Sequence, residues 1–208
     1  MSSTLGAESI VGNSALLVID VQQAIDEPDW AREGPRNNPE AEANIARLLD
    51  AWRRARRPIF HIRHDSTSSH STYRPGQPGN DFKHVVRPLA GEAVIPKRVH
   101  SAFIGTDLEQ RLRAAGVVQL VITGVITNNS VEATVRMAAD LGFEVYLVED
   151  GIFTFGKRDY HGTPRTAAEV HAMSLANLKD EYCIVVTTMQ LLAMLANDGD
   201  GPARSGGG

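Results

Sequence analysis

The segment that most constrains this chain of 208 residues covers residues 120–134 and reads LVITGVITNNSVEAT. It begins as an apolar, β-branched run, which is typical of a buried parallel strand. Gly124 then leads into small and polar residues, and the apolar positions of residues 131–141 share one helical face. The segment therefore predicts a strand, a tight turn and a helix, with two asparagines at the helix start and Ser130 at the exit of the turn.

A turn of this kind is open to two interpretations. In open α/β sheets, binding and catalytic groups lie beyond the carboxyl ends of the strands, next to helix N-termini. Backbone N–H groups and the helix dipole favour an anionic nucleophile there and stabilise an oxyanion. Gly, Asn and Ser also serve simply to cap a helix, and for an isolated turn capping is the commoner role. The choice between a catalytic turn and a simple helix cap therefore depends on the other residues of the chain.

Apolar runs and amphipathic segments alternate along the chain. Strands are predicted over residues 15–20, 58–63, 93–97, 117–122, 144–149 and 183–186, and helices over residues 38–56, 106–115, 131–141, 166–177 and 189–196. The first helix is expected to begin at Asn38, with Pro39 in its first turn. This alternation predicts the α/β class: a three-layer, doubly wound domain around a six-stranded, mainly parallel sheet.

No internal repeat or linker divides the chain, so we expect a single domain over residues 14–196. The small and polar residues 1–13 are predicted to form a flexible leader, and the Gly-rich residues 197–208 a disordered tail. Residues 66–86 form a long polar segment rich in Gly and Pro. Because loops of this length in compact domains are usually functional, we interpret this segment as a lid or pocket wall.

Composition narrows the classes of partner and compartment. Hydrophobic residues make up 42% of the chain and charged residues 22%, and the net charge is −4. No overall positive field favours nucleic acid or an anionic membrane. No apolar run reaches the length of a membrane span, and the start of the chain lacks a signal-peptide profile. Cys183 is the single cysteine, so no intrachain disulfide is expected and cytoplasmic residence is the default prediction.

Three predicted strands end in reactive side chains: Asp20, Lys97 and Ser130. The carboxyl ends of parallel strands meet at one edge of a sheet, so these side chains are expected to converge. An acid, a lysine and a hydroxyl at a helix N-terminus form a workable acyl-transfer site. The acid moves a proton, the lysine steadies charge and backbone donors hold the oxyanion.

The chain resembles the isochorismatase-like hydrolase family, which includes cysteine amidohydrolases such as nicotinamidase. The matching segments are LVIDVQ at residues 17–22, KRVHSAF at residues 97–103 and GVITNNSVEATVR at residues 124–136. Their order and spacing hold over residues 14–192. The resemblance implies a small-molecule substrate, a doubly wound fold and cleavage of a C–N bond in a small amide or related acyl compound.

The resemblance also implies a role for each matched residue. Asp20 corresponds to the catalytic acid and base, and Lys97 to the catalytic lysine. The peptide between Val125 and Ile126 corresponds to a cis peptide of the family, and the N–H groups of Ile126 and Ser130 to its oxyanion hole. Members of the family usually form dimers or tetramers with pockets near subunit contacts, which implies a homodimer or homotetramer here.

Ser130 departs from the amidohydrolase branch, which has a cysteine nucleophile at this position. A serine hydroxyl is a weaker nucleophile than a thiolate unless a base activates it. Three explanations remain open: a natural serine with altered chemistry, an engineered Cys-to-Ser change, or a catalytically silent protein that only binds a ligand. Vinyl-ether hydrolysis without a covalent nucleophile, as in true isochorismatases, is a further alternative.

Several residues are candidates for the walls of the substrate pocket: Trp30, His64, Tyr73, Arg74, Phe82 and Phe155. Family nicotinamidases hold a metal through an Asp-x-His pair after the second strand. His61, His64, Asp65 and His70 occur in that region, but the Asp-x-His spacing is absent. The sequence therefore predicts no metal site and no cofactor.

Overall fold

The computed structural model describes residue 10 and residues 12–199. A six-stranded parallel sheet forms its centre. The strands are β1 (Ser14–Ile19), β2 (Ile59–His64), β3 (Ala93–Lys97), β4 (Gln119–Val125), β5 (Glu144–Phe153) and β8 (Ile184–Val186), with a two-stranded antiparallel hairpin of β6 (Lys157–Arg158) and β7 (Pro164–Arg165). The order across the sheet is β3-β2-β1-β4-β5-β8, and each neighbouring pair is parallel. The predicted doubly wound α/β class is confirmed.

Five α-helices cover the two faces of the sheet. They are α1 (Ala41–Arg54), α2 (Leu108–Ala114), α3 (Glu132–Asp140), α4 (Ala167–Leu178) and α5 (Thr188–Gly199). Alternate residues of β1 point to opposite faces. Leu16 and Val18 join a core that α1 and α5 close, whereas Leu17 and Ile19 join a core closed by α2 and α3. Among the helices of the described residues, none has the length and apolar character of a membrane span.

The predicted domain limits need two corrections. Ile10, assigned to the flexible leader, is fully buried in the core beneath α1. Helix α5 continues to Gly199, three positions past the predicted end of the domain. Of the other leader and tail positions, residues 1–9, 11 and 200–208 lie outside the described residues.

Asn38 does not start the first helix as predicted. Its backbone has a φ of +46°, and its side-chain amide donates to the carbonyl oxygens of Glu149 and Ile152, both at 2.7 Å. The amide that would cap a helix is therefore used in a long-range contact, and α1 begins at Ala41. This contact ties the segment before α1 to the carboxyl-terminal part of β5.

Gly124 allows the two strands that carry the site to approach closely. It lies opposite Ile19 in the register of β1 and β4, with a φ of +120°. A Cβ atom on residue 124 would lie 2.2 Å from the carbonyl oxygen of Ile19, far inside van der Waals contact. Only glycine fits this conformation and this spacing. The contact lies immediately before Asp20 and brings the turn after β4 beside it.

The long segment 66–86 is anchored within its own chain. Tyr73 and Val86 are buried. The Asn80 amide nitrogen lies 2.8 Å from the Tyr73 carbonyl oxygen and 3.1 Å from that of His64. Lys83 binds Asp26 and a carboxylate of α1. The segment has contacts that hold it against the domain in the absence of a second subunit.

Candidate active site

Asp20, Lys97 and Ser130 form a single buried cluster, here named the Asp–Lys–Ser cluster. The Lys97 Nζ atom donates to Asp20 Oδ2 at 2.6 Å and to Ser130 Oγ at 3.2 Å. The side chains lie at the carboxyl ends of β1 and β3 and in the turn after β4. Each residue is less than a tenth exposed, and Lys97 is 1% exposed. The convergence predicted from the strand ends is present in the structure.

The turn that carries Ser130 is a π-helical turn, Thr127–Val131, which leads directly into α3. The Thr134 hydroxyl donates to the Ser130 carbonyl oxygen at 2.7 Å and accepts from the backbone N–H of Ala102 at 3.1 Å. One hydroxyl thus ties the turn to the segment that follows Lys97. The Val125–Ile126 peptide before the turn is cis.

Asp20 is held by its backbone and by its neighbours. Its φ is +54°, in the left-handed region that Asp tolerates better than most residues, and its N–H donates to the Ile62 carbonyl oxygen at 2.9 Å. Burial raises the pKa of its carboxyl group, and the charge of Lys97 and the hydroxyl of Ser130 oppose that shift. A raised pKa suits a carboxylate that must take up and release a proton.

Tyr73 and His64 border the cluster. The Tyr73 hydroxyl lies 3.5 Å from the Asp20 carbonyl oxygen, and its ring meets the His64 ring edge to face. Burial, together with the charge of Lys97, lowers the pKa of His64 to about 4, so the imidazole is neutral at neutral pH. Within the described residues, Asp20 Oδ1 and His64 Nδ1 are buried without a hydrogen-bond partner. Buried polar atoms are normally paired, so these two stand out as unpaired atoms beside the cluster.

Trp30 and Phe155 form an aromatic wall next to the turn. Their rings stack with centroids 6.1 Å apart, and Trp30 also meets the Tyr73 ring edge to face. With Ile126 they line a cavity of about 410 Å³. A larger cavity of about 790 Å³ lies along α4, and neither cavity has an Asp–Lys–Ser residue in its lining. Asn128 of the turn lines both cavities, and the smaller one also meets Ile126 and Asn129.

Phe82 and Arg74, the two other predicted pocket residues, take no part in these ring contacts. Phe82 packs edge to face on the ring of His61. The His61 ring in turn binds Glu92, which is also bound by Arg53 of α1. Arg74 is half-buried in segment 66–86, and its guanidinium has no hydrogen bond or ion pair within the described residues. The structure thus brings Trp30, His64, Tyr73 and Phe155 together and places Phe82 on His61 instead. The role of Arg74 stays a prediction.

Three further residues of the site were not predicted from the sequence. His100 lies close enough for its charge to lower the pKa of Asp20. Asn128 and Lys157 line the cavity beside the aromatic wall. The strand-end rule that found Asp20 would have found Lys157 if β5 had been predicted to reach Phe153. For His100 and Asn128, the sequence offers no signal beyond their nearness to Lys97 and Ser130.

Metal binding was also tested against the structure. Within the described residues, no group of three or more His, Cys, Asp or Glu side chains is arranged to hold a metal ion. His61 is fully buried on β2 and binds Glu92 at 2.8 Å, which is the environment of a core histidine.

Comparison with known proteins places the chain in a family. The model of the isochorismatase domain matches residues 14–190. The chain belongs to the isochorismatase family. The uncharacterized isochorismatase family protein YrdC of Bacillus subtilis is 42% identical over 178 residues, which are 86% of this chain and 94% of that protein.

Two further comparisons agree with this assignment. A crystal structure from Chromobacterium violaceum, described as a hydrolase of the family, is 57% identical and superimposes with a TM-score of 0.87 over 95% of this chain and 100% of that one. The ureidoacrylate amidohydrolase RutB of Variovorax paradoxus is 27% identical, covering 69% of this chain and 70% of that protein. The chain is therefore an isochorismatase-family hydrolase.

Proposed function

We propose that this hydrolase cleaves the C–N bond of a small amide or related acyl compound at the Asp–Lys–Ser cluster. The observation that carries the proposal is the position of Lys97 Nζ, which bridges Asp20 Oδ2 at 2.6 Å and Ser130 Oγ at 3.2 Å in a buried site. The relative named as an amidohydrolase supports the choice of an amide. A small molecule is the expected substrate class.

The geometry supports a covalent mechanism in two halves. Lys97 donates to Ser130 Oγ and leaves the hydroxyl proton free to pass to Asp20 as the oxygen attacks the carbonyl carbon. Asp20 then gives this proton to the leaving nitrogen as the C–N bond breaks, which leaves an acyl-serine ester. A water molecule attacks the ester and Asp20 takes one of its protons. Asp20 then gives this proton to Ser130 Oγ as the bond between Oγ and the acyl carbon breaks and the acid departs.

The oxyanion formed in each half needs donors near the turn. We assign this role to the backbone N–H groups of Ile126, immediately before the π-helical turn, and of Ser130, within it. Donors of this kind are fixed before the reaction and so stabilise the negative charge without reorganisation. Lys97, which holds the oxygen of the nucleophile, adds a positive charge to the same region.

The test is ammonia or amine release from a panel of amides by the wild-type protein and by Ser130→Cys, Ser130→Ala and Asp20→Asn. We expect turnover by the wild type or by Ser130→Cys, since a thiol at the same position is the stronger nucleophile. Asp20→Asn should lower the rate by roughly 10²- to 10⁴-fold, the usual contribution of a general base. Asp29→Asn, at an exposed acid paired with Arg32, is the matched control.

Two results would count against the proposal. One is amide hydrolysis that Asp20→Asn leaves unchanged. The other is saturable binding of a carboxylate or amide without any product from either Ser130 or Ser130→Cys, which would favour a ligand-binding protein on this scaffold. Release of pyruvate from a vinyl ether without amide cleavage would instead indicate the reaction of the true isochorismatases.

A further inference from the structure

The cavity beside the Ser130 turn has a definite chemical character. Its lining consists of Trp30, Ile126, Asn128, Asn129, Thr154, Phe155, Gly156 and Lys157. The lining therefore combines aromatic and apolar side chains with two carboxamides and a lysine. No carboxylate is among these lining residues. A ligand that fills the cavity meets a flat apolar wall and a positive charge.

Lys157 is the cation of this cavity without a counter-charge. Its side chain is exposed and makes no ion pair within the described residues. Lys157 also lines the larger cavity along α4, whose carboxylates are Glu132, Asp159 and Glu169. These are already paired with arginines, Glu132 with Arg136 and the other two with Arg165, and nearby Glu33 is paired with Arg158. The ammonium group of Lys157 is therefore available to an anion from solution.

Asn128 adds donors to the same place. Its side-chain oxygen accepts a hydrogen bond from the Thr154 hydroxyl at 2.6 Å. Thr154 is itself 1% exposed, and its backbone N–H donates to Asn37 at 2.8 Å, so the carboxamide is held by a fixed partner. The oxygen is thus occupied, and the amide nitrogen makes no hydrogen bond within the described part of the chain. That nitrogen carries two N–H donors, which suit a carboxylate.

We propose that this cavity binds a carboxylate on the acyl part of the substrate, remote from the bond that is cleaved. The substrate class is an amide with a flat, largely apolar acyl body that ends in a negative charge. The body lies against Trp30 and Phe155, and the charge meets Lys157 and the amide nitrogen of Asn128. The inference rests on the proposed function, because it places the scissile carbonyl at Ser130.

Binding of two small ketones tests the subsite without any C–N bond to cleave. The charged probe is 4-acetylbenzoate and the neutral probe is 1,4-diacetylbenzene, both measured by calorimetry. The wild type should bind the charged probe about five- to ten-fold more tightly, as one partly exposed, charge-assisted contact provides. Lys157→Ala should remove this difference, Lys157→Glu should reverse it, and Lys157→Arg should keep most of it. Lys179→Ala, at an exposed lysine outside the cavity lining, should leave it unchanged.

Three outcomes would overturn the subsite: equal affinity of the wild type for both probes, an equal loss for both probes in Lys157→Ala, or no saturable binding of 4-acetylbenzoate at millimolar concentration. A separate assay follows hydrolysis of 4-carbamoylbenzoate and of terephthalamide. Charge-selective binding without cleavage of either amide would uphold the subsite and refute the proposed function. Cleavage of terephthalamide alone would uphold the function and refute the subsite.

Discussion

Asp20 and Lys97 depend on each other because both are removed from water. Lys97 is 1% exposed and Asp20 is 5% exposed, and their charged atoms are 2.6 Å apart. Taking either charge out of water is costly unless the other stays in place. Removal of one partner alone is therefore expected to destabilise the fold as well as to impair the proposed chemistry.

A double-mutant cycle measures this dependence. Asp20→Asn should lower the free energy of unfolding by about 3–5 kcal/mol, because Lys97 keeps its buried charge without a counter-charge. Lys97→Met should be destabilising for the converse reason. The double variant should lose clearly less free energy of unfolding than the sum of the losses in the two single variants. Urea unfolding of the three variants measures this difference. Additive losses would contradict the coupling.

Gly124 sets a steric limit on the contact between β1 and β4. Gly124→Ala should cost more than about 3 kcal/mol, or prevent folding, because the added Cβ meets the Ile19 carbonyl oxygen at a φ of +120°. Gly142→Ala is the control: its φ is +82°, but no atom lies within 4 Å of the added Cβ, so about 1 kcal/mol is expected. Thermal unfolding of the two variants checks the ranking, and equal losses would refute it.

Between elements, Glu92 joins a helix to a strand. Its carboxylate accepts from Arg53 of α1 at 2.7 Å, binds His61 of β2 at 2.8 Å and accepts from the backbone N–H of Leu89 at 2.9 Å. Burial alone would raise the pKa of Glu92, but Arg53, Leu89 and His61 outweigh it and hold the pKa at about 2.

A depressed pKa gives this contact a defined pH dependence. Since the pKa is lower in the folded than in the unfolded protein, the stabilisation is complete above about pH 4.5 and is lost as the pH falls through about 2. The expected loss is on the order of 1 kcal/mol, because the carboxylate is partly open to solvent. Glu92→Gln should flatten the acid limb of the stability curve. An unchanged slope between pH 4.5 and 2 would contradict this role.

The elements were predictable where their local pattern and their tertiary role agree. Strand β3 was predicted with the bounds it has, and the apolar face of α1 is buried as expected. The prediction was wrong where long-range contacts determine the residue at which a helix begins. Asn38 uses its amide on carbonyl groups more than a hundred positions away instead of capping α1.

The site was predictable to the same extent. Asp20, Lys97 and Ser130 follow from the rule that strand ends meet at one edge. Lys157 was not predicted as a site residue, because β5 continues through Glu149, Asp150 and Gly151, three residues that interrupt its apolar pattern. Which aromatic residues face the cluster depends on side-chain packing, and Phe82 shows that composition alone does not reveal it.

For the whole molecule, we expect a homodimer or homotetramer. Family resemblance motivates this prediction, and light scattering at micromolar concentration measures it. A mass of one chain would contradict it.

Segment 66–86 gives a second prediction at this scale. Because Asn80 ties it to Tyr73, His64 and Asp65, Asn80→Ala should expose it to proteases at every protein concentration. Limited proteolysis measures the rate of cleavage of Asn80→Ala in this segment. The control variant is Asn13→Ala, which loses one exposed hydrogen bond. Cleavage that depends on dilution instead would show that a second subunit holds the segment.

Strand β1 lies where the direction of winding changes, with β2 and β3 on one side and β4, β5 and β8 on the other. Lys97 comes from one half of the sheet and Ser130 follows a strand of the other half. Asp20 follows the central strand β1 and precedes Lys97 by 77 positions in the sequence. Catalytic turnover would therefore report on assembly: during refolding it should return only after both halves have docked on the central strand, later than helix content measured by circular dichroism.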